Sequence, residues 1–146
     1  WLLFVHVLTA IVAFGPTFAF PIIGAMGGKE PQYANFATRV SEAIEHKMVL
    51  PLALTMPISG LLLIWSTQID LLAARWLLLA IVLYAVALSY VILVQNPAVS
   101  RIIELSSQTP PPRPELGAAV KKVQQGGMLI TVLVVAIVLL MVVKPL

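Results

Sequence analysis

His6 is the residue best placed to do chemistry in this chain. It lies inside Trp1–Met26, a run that contains no charged residue. Burying an ionisable group in such a run is costly, so a functional role is the first reading of it. A neutral imidazole there could ligate haem, ligate a metal ion or carry a proton. The plainer alternative is a hydrogen bond to a neighbouring helix. A haem ligand needs a second axial group at the same depth. Met141 sits at matching depth in the last apolar stretch of the chain, and His/Met is a known axial pair. Met141 serves equally well as flexible packing filler. The other histidine, His46, stands between Glu45 and Lys47. It opens a later span from the opposite side, so about one ~30 Å bilayer core separates it from His6. A site built on both histidines of one chain is disfavoured. Tyr84 and Tyr90 read as packing residues whose hydroxyls need partners.

Much chemistry is excluded by composition. Cysteine is absent, which removes disulfides, thiolate metal sites and cysteine nucleophiles. No charged residue falls at mid-span, as a proton-coupled transporter would commonly use. No glycine-rich phosphate loop, HExxH or GxSxG motif occurs. The 146 residues are 60% hydrophobic and 10% charged, with a net charge of +3. A soluble domain carries ~25% charged residues, so lipid is the natural solvent here. Nine basic residues scattered beside apolar runs do not make a nucleic-acid footprint.

Four apolar stretches must position these groups. Each is near the ~20 residues needed to cross the ~30 Å hydrocarbon core. They are residues 1–26, 48–65, 71–94 and 126–144 of a single transmembrane domain, 1–146. The chain opens on Trp1, and residues ahead of it are expected to be missing or removed. The first apolar run is too long for a signal-peptide core, and Thr17–Pro21 is a poor cleavage site, so it reads as a retained helix. Pro16 and Pro21 lie inside the first stretch, and Pro51 and Pro57 inside the second. Each proline removes a donor and clashes one turn back, so kinks are expected. Thr17 could satisfy a freed carbonyl locally. His6, Ala10, Ala13 and Thr17 recur at helical spacing as a small, faintly polar stripe suited to close helix contact.

Between the stretches lie amphipathic segments. In Pro31–Lys47, Tyr33, Phe36, Val40 and Ile44 share one face. The pattern predicts a helix lying on, or rising toward, the membrane surface. Glu42 and His46, four apart, could interact along it. Asp70 is a candidate N-cap for a third helix starting near Leu71. Pro97 bends the chain before a short amphipathic continuation around Ile102. Thr109–Pro114 reads as a stiff polyproline break. No repeat of 20–50 residues is visible.

The basic residues set an orientation. Seven of them fall in the two long loops and two, Arg75 and Lys144, on the side of the termini. The positive-inside rule then places the long loops in the cytoplasm and both termini on the outer side. Trp1, Trp65 and Trp76 all mark span ends on that outer side.

The first helix also carries a resemblance. Leu2–Leu8 with His6, then Phe14-Gly15-Pro16, then Phe18-Ala19-Phe20-Pro21, resembles a family of small bacterial integral membrane proteins of four spans with no assigned activity. More distantly, an early histidine followed by Phe-Gly and Phe-x-x-Pro resembles the copper-resistance D proteins and the haem-containing membrane protoporphyrinogen oxidases. The resemblance covers about 20 residues and the span count. In the oxidases the first-helix histidine is a haem ligand, and only His6 matches it. Their lysine within a later span has no counterpart here. The usual tryptophan after the histidine is also missing, with Ala13 near its place. Both departures argue against that enzyme activity.

Together these features predict an all-α integral membrane four-helix bundle with amphipathic cytoplasmic segments, in the bacterial inner membrane. The expected role is non-catalytic: an oligomerising or accessory subunit of a larger membrane complex, surrounded by lipid and by its own copies or other membrane subunits. The first alternative is a haem-binding redox protein with His6 as ligand. The second is a metal-handling or transport protein using His6.

Overall fold

The computed structural model describes residues 1–108 and 113–145. The chain forms four long antiparallel helices, and no strand occurs among the described residues. The first is α1, Leu2–Lys29. A tight turn at Pro31–Tyr33 reverses the chain. The second helix joins α2 (Ala34–Ile44) through one wide turn, Glu45–Val49, to α3 (Leu50–Thr67). The third joins α4 (Arg75–Tyr90) through a second wide turn, Val91–Gln95, to α5 (Asn96–Ser106). The fourth is α6, Arg113–Val143. All four are long and apolar enough to cross a membrane.

The two wide turns share a cause. Each is a π-helical turn, in which the Leu50 amide donates to the Glu45 carbonyl and the Asn96 amide to the Val91 carbonyl. Each ends two residues before a proline, Pro51 or Pro97. A proline ring crowds the carbonyl one turn back and offers it no donor. Adding one residue to the preceding turn lets the helix pass this point without ending. Neither proline therefore divides its helix.

Several expectations change on this account. Pro31–Lys47 is not a separate surface helix. Its α2 portion is the first third of the second long helix, and it packs along α1 and α5. Asn35 Nδ2 donates to Ser106 Oγ at 2.7 Å, tying α2 to α5. The segment around Ile102 likewise continues the third helix to Ser106, with Ile102 and Leu105 buried. Glu42 and His46 do not pair, because the wide turn begins between them and breaks the i,i+4 register. The helix expected from Leu71 begins at Arg75. Asp70 caps the turn before it instead, its Oδ1 accepting from the amides of Leu72 (2.9 Å) and Ala73 (3.4 Å). Of the polyproline stretch, residues 109–112 lie outside the described residues. Arg113 and Pro114 already belong to α6, as suits a proline in a first turn.

The core combines large apolar side chains, among them Met56, Leu77, Leu105, Val134 and Ile137, with five alanines. Ala13 and Ala80 are completely buried, and Ala53, Ala87 and Ala98 nearly so. Small side chains let helix backbones approach closely where lipid removes most of the hydrophobic drive for association. Gly27 of α1 shows how close: an added Cβ would stand 3.2 Å from Ala37 Cβ and 3.3 Å from Ala34 Cα.

Candidate functional site

Besides the Asn35–Ser106 pair, polar side chains join helices at three places. At the end carrying the termini, His6 Nδ1 on α1 lies 2.7 Å from Ser59 Oγ on α3. Ser59 Oγ also lies 3.1 Å from the Met56 carbonyl in its own helix. A hydroxyl has one proton to give. If Ser59 donates it to its own helix, His6 Nδ1–H donates to Ser59 and Nε2 keeps a free lone pair. This tautomer is assigned from the hydrogen-bond network. The imidazole lies against Gly60, where a Cβ would make ordinary contact with His6 Cε1 at 3.5 Å.

The second joint is at mid-bundle. Pro57 has no N–H for the carbonyl four residues back, which belongs to Ala53. The Tyr84 hydroxyl on α4 donates to that same carbonyl. The Tyr84 ring meets Phe14 of α1 edge-on, with centroids 6.2 Å apart. A proline-orphaned acceptor in an apolar interior would cost free energy unless paired. Here a different helix supplies the donor, so the proline becomes a point of attachment between α3 and α4.

The third joint is at the far end. The wide turn Val91–Gln95 presents Gln95, whose Nε2 donates to the Val123 carbonyl of α6 at 3.1 Å. Gly126 is buried beneath it. A Cβ there would collide with Gln95 Oε1 and lie 2.8 Å from the Tyr90 hydroxyl. A methyl there would have to displace the ends of two side chains, Gln95 and Tyr90, and with the first its hydrogen bond to Val123.

Of the residues singled out in sequence, His6, Tyr84 and Tyr90 are thus drawn into helix contacts. Met141 is half-buried on α6, while the polar partner of His6 is Ser59. His46 is exposed within the first wide turn. Thr17 is buried, at 8% exposure. Among the described residues no group of three histidine, aspartate or glutamate side chains gathers as a metal site would require. Sequence reasoning missed Ser59 as a partner, and it missed Gln95 and Gly126 altogether. The available signals were a polar residue two before Pro97 and a glycine in an otherwise polar turn of the last helix.

The family described as "Predicted integral membrane protein (DUF2269)" matches residues 1–145. The chain belongs to this family. It is a multi-pass integral membrane protein, and its four apolar helices fit that description. No curated protein and no solved structure matches it. The likeness to copper-resistance D proteins and to the oxidases rests on the first-helix residues alone.

Proposed function

We propose that this DUF2269 protein is a non-catalytic subunit of the bacterial inner membrane that acts by assembly, with its own copies or as an accessory to a larger complex. One observation carries the reading: three polar side chains of the apolar helices, His6, Tyr84 and Gln95, join one helix to another. His6 meets Ser59, Tyr84 meets the Ala53 carbonyl, and Gln95 meets the Val123 carbonyl. Basic residues concentrate at the end opposite the termini, which supports termini outside and helix extensions in the cytoplasm. The test is purification from native membranes in a mild detergent after crosslinking. A stable complex containing a second copy or a discrete membrane partner is expected. A monomer with no crosslinked partner refutes the reading.

The His6–Ser59 pair favours one second reading. Ligand histidines commonly donate their second ring N–H to a fixed acceptor, which orients the ring and raises its basicity. Donation from His6 Nδ1 to Ser59 would leave Nε2 as the ligating atom. The side chain fits one axial position of a haem, with Met141 a candidate for the other, or one position at a metal. A bound haem would supply one-electron chemistry. The chain's part is to hold and orient the imidazole at the outer side. The visible spectrum of protein purified after expression with haem supplied decides this. A haem band lost in His6→Ala supports it, and a colourless protein free of metal removes it.

A further inference from the structure

The last helix crosses the membrane between two levels marked by lysine. Lys144 follows the end of α6, and its Nζ stands 5.6 Å from the centre of the Trp76 ring at the start of α4. Lysine and tryptophan are residues that settle at a membrane interface. From Lys122 to Lys144 the helix rises ~33 Å, which matches the ~30 Å hydrocarbon core. The third helix gives the same depth. From Trp76 to Gln95 it rises ~28 Å, and Gln95 bonds the carbonyl of Val123, next to Lys122. Lys121 and Lys122 therefore stand at the interface on the side of the long loops.

This pair differs from the other cations on that side. Both side chains are exposed, and neither forms an ion pair among the described residues. From Leu116 to the end of α6 no acidic residue occurs. The nearest in sequence, Glu115, lies 3.5 Å from Arg101, which also holds Glu104 at 2.7 Å. Lys29, Arg39 and Lys47, by contrast, have Glu30, Glu42 and Glu45 close by in sequence. Gln124 and Gln125, exposed on the following turn, add amide donors. Such a set suits the oxygens of a phosphate group. The helix face below it says which phosphate. Met128, Val132 and Val135 stand at i+7, i+11 and i+14 from Lys121, on one face of α6. They are 68%, 58% and 51% exposed, so the lysine face continues into the membrane as a surface open to acyl chains. A phospholipid uses both parts of this face, and a soluble phosphate only the first. In a zwitterionic headgroup the phosphate is already neutralised by the lipid's own ammonium, whereas an anionic headgroup keeps the charge that attracts lysines beside a span.

We propose that Lys121 and Lys122, with Gln124 and Gln125, seat the headgroup of an anionic phospholipid in the loop-side leaflet, its acyl chains lying along Met128, Val132 and Val135. The contact is independent of what the protein assembles with. Native mass spectrometry of the full chain in detergent, with phosphatidylglycerol and phosphatidylcholine added in equal amounts, tests it. One basic residue near the surface is worth roughly a fivefold preference for anionic lipid, so the pair should favour phosphatidylglycerol ~30-fold in the tightest-bound lipid. Lys121→Gln combined with Lys122→Gln should remove that preference. Lys121→Arg combined with Lys122→Arg should keep it, and Lys47→Gln should leave it unchanged. Retained helical content and monodisperse elution show that each variant has folded. Equal binding of the two lipids by the unaltered chain, a preference that survives the double glutamine variant, or an equal loss in Lys47→Gln would each overturn the proposal. Full displacement of the lipid by glycerol 1-phosphate would give the site to a soluble phosphate and overturn it too, as would capture of a protein by the same lysines in place of lipid.

Discussion

The imidazole of His6 and the hydroxyl of Tyr84 have different reasons to be bonded. Interhelical hydrogen bonds in membranes average ~0.6 kcal/mol, because unpaired groups find other partners in the alternative state. Ser59→Ala should therefore destabilise the detergent-solubilised protein by only about 0.6 kcal/mol. Tyr84→Phe strands the Ala53 carbonyl, whose usual donor Pro57 cannot supply. An unsatisfied buried acceptor costs about 1–3 kcal/mol, so Tyr84→Phe should be the more damaging change. The cause is checked by a double-mutant cycle. Pro57→Ala restores a backbone donor for Ala53, so Tyr84→Phe in that background should cost no more than a packing change. Equal losses in both backgrounds would disprove the link between Pro57 and Tyr84.

At the scale of elements, the fourth helix is located by one glycine. Gly126→Ala should lower the midpoint of thermal unfolding, because its Cβ collides with Gln95 and Tyr90. Those atoms are the ends of side chains that can swing aside, so the cost is mainly the Gln95–Val123 hydrogen bond, about 0.6 kcal/mol. Gly127→Ala has nothing within 4 Å of its new Cβ and should leave stability unchanged or slightly raised, since alanine is the better helix former. The two neighbours differ only in which face they occupy. If they respond alike, the packing of α6 on Gln95 is wrong. The wide turns belong to this scale as well, since both let a helix continue past a proline that by local propensity alone should end or bend it.

For the whole molecule, the depth of the bundle makes a direct prediction. A cysteine at Ile23 should react with a water-soluble maleimide added to the loop side, whereas one at Leu8 should not. Both lie in the same uncharged run of α1, so the contrast reads the membrane boundary and not hydropathy. Protection of both positions would place all of α1 within lipid.

The amino-acid sequence by itself determined the class of this protein. Four uncharged runs of spanning length leave no other way to satisfy backbone groups in lipid than helices. It also marked His6 as the ionisable group most worth explaining, and it placed the prolines. What it left open was which residues meet. Hydrophobic periodicity carries little information in a span, where lipid-facing and buried positions are both apolar, so the partnership of His6 with Ser59 was not legible. Nor was the pairing of Tyr84 with the Ala53 carbonyl, since the donor and the missing N–H of Pro57 sit on different helices. The Pro31–Lys47 and Ile102 segments were visible as amphipathic helices. Only the tertiary structure joined them end-on to their spans, because a π turn before a proline has no local signature and its cost is met by packing between helices.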